Sequence, residues 1–287
     1  MNTKINLAGV ELKNPVMTAS GTFGSGMEYS EFVDLNKLGA VVTKGVANVP
    51  WPGNPTPRIA ETYGGMINAI GLQNPGIDVF CERDIPFLKK YDTKIIVNVC
   101  GKSERDYVEV VERLAGEPVD MLEINISCPN VKEGGIAFGQ NAANIEHITK
   151  AIKNVAKQPV IMKLSPNVTD ITEMAKAAEA GGADVLSLIN TITGMKIDIN
   201  RQTFAVANKT GGLSGPAVKP VAVRMVYQVA NAVKIPIIGM GGIATAEDAL
   251  EFILAGATAV SIGTANFHNP RTTLEVIEGI EKYMVNK

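Results

Sequence analysis

The sequence is poor in the residues that build metal centres and disulfide frameworks. It contains three cysteines, scattered at Cys81, Cys100 and Cys128, and two histidines, His147 and His268. An odd number of widely spaced cysteines argues against a disulfide framework and against a zinc or iron–sulfur site on this chain. Because histidine is equally scarce, we expect no metal site.

Long hydrophobic runs and a strong charge of either sign are also missing. The first residues, MNTKINLAGVELKNP, lack the apolar stretch of a signal peptide, and no segment has the length needed to cross a bilayer. The formal net charge of -2 at pH 7 provides no basic face for nucleic acid or an anionic membrane. We therefore expect a cytoplasmic protein that binds neither nucleic acid nor a membrane.

Eight short apolar runs are present, each followed by a stretch with helical periodicity. The predicted strands cover residues 15–20, 40–44, 94–99, 121–127, 160–164, 184–190, 236–241 and 259–264. Repeated βα units indicate a parallel sheet, and a (β/α)8 barrel normally occupies about 250 residues as one domain. We predict a single (β/α)8 TIM barrel over residues 1–287, with an N-terminal β-hairpin (KINLAG, then VELKN) across the barrel floor.

Two long segments interrupt the repeat and are interpreted as loops over the C-terminal face. The first runs from about residue 45 to 75 and the second from about residue 191 to 216. Both follow the carboxyl ends of predicted strands, where a TIM barrel keeps its active site.

Polar residues and glycines occupy almost every predicted strand end. They are Ser20, Lys44, Asn98, Asn125, Ser127, Lys163, Asn190, Thr191, Gly241, Gly242, Gly263 and Thr264. Any single one of them could belong to a solvated top layer with no function. Several ammonium and amide groups that converge on one mouth are costly without partners, so we expect them to bind a polar, partly anionic ligand.

The last two strands end in the glycine-rich turns GMGG and SIGTA. Barrels often bind phosphate on backbone N–H groups at this position. Two other interpretations remain open: glycines that only permit close helix–strand packing, and a dinucleotide fingerprint at Gly239, Gly241 and Ala244. The fingerprint is weak, because no acidic residue ends the next strand to hold a ribose.

Cys128 follows the fourth strand within Asn-Ile-Ser-Cys-Pro-Asn, and the glycine-bearing segment VKEGGIAFG comes next. A thiol at the barrel mouth, followed by a glycine-bearing segment that could act as a lid, is a candidate acid/base residue. The alternative is a small buried thiol, which is the interpretation we favour for Cys81 in a predicted helix. Cys100 also follows a strand but has no comparable polar neighbourhood in the sequence.

Several long motifs in order along the whole chain resemble the dihydroorotate dehydrogenases. They include ASGTFG, TKGV, GNPTPRIAET, NAIGLQNPG, NISCPN, VIMKLSPN, NTITGM, GGLSGPA and GMGGI. Cysteine at position 128 is similar to the soluble class 1 enzymes rather than the membrane-associated class 2 enzymes, which carry serine there. The segments PWPGNPTPRI and NAIGLQNPG resemble the class 1B catalytic subunit more than class 1A. In class 1A the counterpart of residues 68–72 usually reads NSMGL.

The resemblance implies an enzyme that oxidises (S)-dihydroorotate to orotate in pyrimidine biosynthesis, with one FMN per chain and Cys128 as the base. The implied FMN contacts are Ser20, Lys44, Gly45, Asn98, Asn125, Lys163, Ile189, Gly215, Gly241, Gly242, Gly263 and Thr264. The implied substrate contacts are Lys44, Asn68, Ala69, Ile70, Gly71, Leu72, Asn125, Asn190 and Thr191.

Class 1B also implies a heterotetramer, in which a homodimer core joins a second subunit that carries FAD and a [2Fe–2S] cluster and reduces NAD. Three alternative functions remain open. They are a self-sufficient class 1A homodimer that reduces fumarate, a flavin-free barrel lyase or isomerase with a phosphorylated substrate, and a flavin carrier without its own chemistry.

Overall fold

The computed structural model describes residues 3–126 and 138–285. Its strands in chain order are β1 (Ile5–Leu7), β2 (Val10–Leu12), β3 (Val16–Thr18), β4 (Ala40–Val42), β5 (Ile59–Thr62), β6 (Gly65–Asn68), β7 (Lys94–Val99), β8 (Met121–Asn125), β9 (Val160–Lys163), β10 (Val185–Leu188), β11 (Ile192–Met195), β12 (Ile197–Asp198), β13 (Thr203–Phe204), β14 (Thr210–Ser214), β15 (Ile237–Met240) and β16 (Ala259–Ile262).

Eight of these strands form a closed parallel barrel in the order β3, β4, β7, β8, β9, β10, β15, β16, and β16 pairs back onto β3. These strands are the eight predicted from the apolar runs, so the TIM barrel prediction is confirmed. Most of these strands are shorter than predicted. Lys44, for example, lies two residues beyond the end of β4.

The α-helices lie outside the barrel. They span Ile77–Val79, Ile85–Leu88, Glu104–Leu114, Ala142–Val155, Ile171–Ala180, Lys219–Ala230, Ala246–Leu254, Ala265–His268 and Thr272–Val285. Ser103 and Thr245 begin their helices with complete capping boxes, because each hydroxyl accepts a backbone N–H while an aspartate three residues later accepts the N–H of the cap residue. Over the described residues, none of the helices combines the length and the apolar character that a membrane span requires.

The hairpin of β1 and β2 closes the barrel floor, as predicted. Leu7 and Leu12 are fully buried and pack in one apolar cluster with inward-facing strand residues such as Met17, Ile96 and Met121. Side chains alternate along each strand, so β8 turns residues 121, 123 and 125 inward and its intervening residues toward the helices. The floor of the barrel is therefore apolar, and its polar residues lie above that floor.

The two long segments follow β4 and β10, as predicted, and they contain regular structure. Residues from both form a four-stranded antiparallel sheet in the order β11, β14, β6, β5, while β12 and β13 pair as a separate small hairpin. The sequence signal was weak because these strands are short and rich in Gly and Asn, and because they pair over long distances in sequence.

Candidate active site

Four neighbouring strands bring a buried polar cluster to the centre of the barrel. The Asn98 amide donates to Glu123 Oε1 at 2.6 Å, and the Ser187 hydroxyl donates to Glu123 Oε2 at 2.9 Å. Lys163 Nζ lies 3.5 Å from Glu123 Oε1, and the two side chains are 6% and 1% exposed. The predicted site residues Asn98 and Lys163 thus share one buried carboxylate.

Glu123 is a candidate functional residue that is absent from the polar residues predicted at the strand ends. It precedes the predicted residue Asn125 by two positions, so the alternation of β8 places both side chains on the inward face. The alternation of side chains along this strand is the sequence signal that could have identified Glu123. A carboxylate inside a barrel is costly unless it is paired and hydrogen-bonded, which here it is.

Asn98 also presents a polar atom that lacks a partner. Its Oδ1 is buried and has no hydrogen bond within the described parts of the chain. A Cβ built on Gly45 would lie 2.9 Å from this oxygen, 3.4 Å from Cys100 Sγ and 3.7 Å from Leu72 Cδ2. Predicted cofactor and substrate residues therefore meet at Gly45, and Cys100 lies closer to the site than its sequence context indicated.

Asn125 and Asn190 come together at the carboxyl ends of β8 and β10. Asn190 donates to Asn125 Oδ1 at 3.3 Å, and Asn190 Oδ1 accepts the backbone N–H of Thr191 at 2.8 Å. The hydroxyl of Tyr107, on the helix that follows β7, donates to the backbone oxygen of Asn125 at 2.8 Å. These bonds fix the strand ends that carry two of the predicted substrate residues.

The antiparallel sheet adds the remaining predicted substrate residues. Asn68 lies opposite Gly212 in the pairing of β6 with β14, and its amide donates to the Gly212 oxygen at 3.5 Å. A Cβ on Gly212 would come within 2.0 Å of the Thr191 hydroxyl oxygen. Asn68 and Thr191 are therefore neighbours across a glycine.

The segment from Ala69 to Leu72 is held by residues outside it. Asn54 donates from its side chain to the Ala69 oxygen at 3.0 Å and from its backbone to the Ile70 oxygen at 2.9 Å. Gly71 has φ +75 and Leu72 has φ +55, so the chain makes a left-handed bend here. This bend and its anchors give the segment one defined shape.

The predicted phosphate turns lie close to one another. Gly241 and Gly242 have φ +123 and +80, and a Cβ on Gly242 would lie 2.8 Å from the Gly215 oxygen. A Cβ on Gly241 would lie 3.2 Å from Ile189 Cγ1. The Thr264 hydroxyl donates to Ser214 Oγ at 2.8 Å, which joins the turn after β16 to β14.

Gly239 is the first residue of the alternative dinucleotide fingerprint. A Cβ there would lie 2.6 Å from a ring carbon of Phe252, on the helix that follows β15. Close helix–strand packing therefore accounts for Gly239, as one of the alternative interpretations held.

The other predicted residues are placed as follows. Lys44 is half-buried, and its Nζ lies 3.9 Å from the Cβ position of Gly21, next to Ser20. Gly263 follows β16, and its Cβ position is 3.4 Å from Ala19 Cβ. Ser127 and Cys128 lie outside the described residues.

Neither of the two cysteines within the described ranges forms a disulfide, and both are buried. Burial, followed by the nearby charge of Glu117, raises the pKa of Cys81 to about 11. Cys81 is thus a poor base at neutral pH. In residues 3–126 and 138–285, no group of three or more His, Cys, Asp or Glu side chains is arranged to hold a metal ion.

A parallel barrel with amide, lysine and glycine groups converging on its mouth is the arrangement of a cofactor-dependent barrel enzyme. Residues 2–284 match the family model for dihydroorotate dehydrogenase. The chain belongs to that family.

Relatives align over nearly the full length of the chain. A protein of Lachnoclostridium phytofermentans named dihydroorotate dehydrogenase B (NAD(+)), catalytic subunit, is 78% identical over 99% of this chain and 95% of its own length. Proteins with the same name from Alkaliphilus metalliredigens and Thermoanaerobacter pseudethanolicus are 69% and 58% identical, each over 99% of this chain and 94% of its own length.

Among solved structures, the dihydroorotate dehydrogenase of Eimeria tenella in complex with ferulenol superposes with a TM-score of 0.82. The match covers 99% of this chain and 85% of that one, at 24% identity. At that identity the likeness supports the barrel fold alone.

The site fits FMN, the cofactor of this family. Asn98 Oδ1 is a buried acceptor without a partner among the described residues, and a ligand N–H would satisfy it. Lys163 and Lys44 supply positive charge, and the turn at Gly241 and Gly242 exposes backbone where a side chain would collide with residue 215 or 219. These are the partner groups that a polar ring system and a phosphate require.

Proposed function

We propose that this chain is the catalytic subunit of a class 1B dihydroorotate dehydrogenase, which oxidises (S)-dihydroorotate to orotate in pyrimidine biosynthesis. The observation that carries the proposal is the meeting of two groups of residues at one barrel mouth. One is the Asn98–Glu123–Lys163 cluster, which we assign to the cofactor, and the other is the Asn68–Thr191 pair, which we assign to the substrate. The identities of 58–78% to proteins of that name support the same function.

The residues proposed to hold FMN divide into a ring group and a phosphate group. Asn98, Asn125, Lys163 and Ile189 would contact the ring system, and Gly215, Gly241, Gly242, Gly263 and Thr264 would surround the phosphate. When bound, FMN supplies the acceptor for the hydride that leaves C6 of dihydroorotate. With FMN bound, the buried ammonium of Lys163 would supply positive charge next to the ring that gains electron density, a fixed-charge effect that often dominates catalysis.

The substrate has a polar ring and a carboxylate, and the mouth offers partners for both. We assign the ring to the amides of Asn68, Asn125 and Asn190 and to the Thr191 hydroxyl. The carboxylate is assigned to the backbone of Ile70, Gly71 and Leu72, a segment that Asn54 holds in its left-handed bend. Lys44 is proposed to contact both ligands.

Cys128 is the proposed base that removes the C5 proton. It comes three residues after Asn125, the last residue of β8, and the proposal assigns its thiol to the same mouth. A thiol has a reference pKa of about 8.5, and a positioned base typically contributes about 10²–10⁴-fold in rate.

Electrons must then leave the chain. We propose a partner subunit that carries FAD and a [2Fe–2S] cluster and reduces NAD, in a heterotetramer built on a homodimer of this chain. The name of the relatives, "catalytic subunit", supports a partner. We place the assembly in the cytoplasm.

The first experiment is an anaerobic titration of the purified chain with dihydroorotate, followed in the visible spectrum. We expect a yellow protein whose flavin band disappears. A colourless protein that still converts a phosphorylated substrate would support the lyase or isomerase alternative, and a yellow protein that dihydroorotate does not bleach would support the flavin carrier.

The electron acceptor is tested on the same preparation. The chain alone should reduce NAD slowly, and addition of the partner subunit should restore rapid NAD reduction. Rapid turnover with fumarate in the absence of a partner would instead assign the chain to class 1A.

A further inference from the structure

We propose that Glu123 is a positioning residue that sets the reduction potential of the bound flavin, by fixing the Asn98 amide and by partly neutralising Lys163. The inference rests on the proposed function, because it requires FMN above the cluster. It concerns a carboxylate to which the proposed chemistry gives no role.

The first step is the position of Glu123. Asn98, Glu123, Lys163 and Ser187 come from β7, β8, β9 and β10, which are consecutive neighbours in the barrel. Asn98 pairs with Glu123 across β7 and β8, and Lys163 pairs with Ser187 across β9 and β10. Met121, two residues before Glu123 on β8, belongs to the apolar floor, so the carboxylate lies directly above that floor.

The second step is the chemistry of an acceptor. An ionised carboxylate can only accept hydrogen bonds, so the end of the Asn98 amide that faces Glu123 at 2.6 Å is its nitrogen. The carbonyl end must then point away from Glu123. That end is the buried oxygen without a partner in the described chain. Glu123 thereby makes Asn98 an acceptor for a ligand N–H.

The third step is charge. Lys163 and Glu123 form a buried pair whose formal charges sum to zero, with their nearest atoms 3.5 Å apart. In a site screened from water, a charge acts on a neighbouring ring far more strongly than it does at the surface. Loss of the glutamate charge removes one negative charge from beside the Lys163 ammonium, and this favours the reduced flavin, which carries more negative charge. Loss of the ammonium has the opposite effect.

Four proteins test the proposal: the wild type, E123Q, K163M and the double variant E123Q/K163M. The formal charge of the pair is 0, +1, -1 and 0 across this series. The measured quantity is the midpoint potential of bound FMN, from anaerobic spectra with a reference dye. We expect the potential to rise in E123Q, to fall in K163M, and to return toward the wild-type value in the double variant.

The expected size is at least tenfold in the equilibrium constant for flavin reduction, which is about 30 mV for a two-electron couple. S187A is the matched control, because it removes a hydrogen bond to the same carboxylate without changing charge. Its midpoint potential should stay within about 30 mV of the wild-type value. FMN affinity, measured by fluorescence quenching on the apoprotein, should fall in E123Q, because the Asn98 amide can then rotate.

An unchanged or lowered potential in E123Q would overturn the proposal. If E123Q alone does not fold, the comparison of K163M with the double variant carries the same test, since that step also removes one negative charge and leaves both side chains of the pair neutral. No rise between those two proteins overturns the proposal as well. A wild-type chain that binds no FMN at all would instead refute the proposed function.

Discussion

Asn68 and Thr191 approach each other across Gly212, where a Cβ atom would lie 2.0 Å from the Thr191 hydroxyl oxygen. Asn68 belongs to the segment after β4 and Thr191 to the segment after β10, and the pairing of β6 with β14 joins them. The absence of a side chain at residue 212 is therefore a requirement of the candidate substrate site.

The substitution G212A should displace the Thr191 side chain and weaken the response to dihydroorotate. Misplacement of a substrate contact by about 1 Å can cost up to about 100-fold, so we expect kcat/KM to fall by about 10-fold to 100-fold. G194A on the adjacent strand is the control, because its Cβ would make only ordinary contacts at 3.6 and 3.7 Å. Equal activity in the two variants would contradict this account of Gly212.

The substitution G242A should release FMN. Gly242 has φ +80, and a Cβ would lie 2.8 Å from the Gly215 oxygen and 3.0 Å from the Lys219 backbone nitrogen. Strain of this kind costs about 1–3 kcal/mol, so the affinity for FMN should fall about tenfold or more. The measurement is the flavin content and the dissociation constant after desalting. G116A, whose Cβ would meet nothing within 4 Å, should bind FMN normally.

The hairpin at the barrel floor should be required for stability rather than for chemistry. L12A removes a fully buried side chain from the floor cluster, and such truncations lower the free energy of unfolding by about 2–5 kcal/mol. L254A truncates a leucine that is 73% exposed and should change stability by less than about 0.5 kcal/mol. Denaturant titration distinguishes them, and a wild-type midpoint for L12A would refute the role of the hairpin.

The sequence predicted the barrel well because each of its strands is a short apolar run followed by a periodic helix, and because parallel strands direct their polar ends to one face. The same logic placed Asn98, Asn125, Lys163 and Asn190 together. It missed Glu123, which the list of strand ends excluded although β8 turns it inward two residues before Asn125.

The antiparallel sheet could not be predicted from local sequence patterns of this kind. Asn68 and Gly212 are 144 residues apart in sequence, and nothing local in a run of Gly, Asn and Pro specifies a partner at that distance. Their pairing depends on the barrel, which first brings the carboxyl ends of β4 and β10 to the same face. The contact that positions Asn68 is thus a tertiary property, whereas the identity of Asn68 as a substrate residue came from the family motif alone.

Cys128 is the residue on which the proposed chemistry depends most, and its protonation gives the final prediction. A base must be deprotonated to accept the C5 proton, so flavin reduction by dihydroorotate should accelerate as pH rises toward the reference thiol pKa of about 8.5. C128A should retain FMN and lose about 10²–10⁴-fold in the rate of that reduction.

Thiol chemistry distinguishes Cys128 from the other cysteines. Because the pKa of Cys81 is raised to about 11 by burial, its thiolate is scarce at pH 8, and Cys100 is fully buried. Iodoacetamide at pH 8 should therefore alkylate Cys128 first, and orotate should slow that reaction, as mass spectrometry of the peptides can establish. C81A is the control and should keep both the activity and its pH dependence. If C128A reduced its flavin as fast as the wild type, the base would have to be sought elsewhere in the mouth.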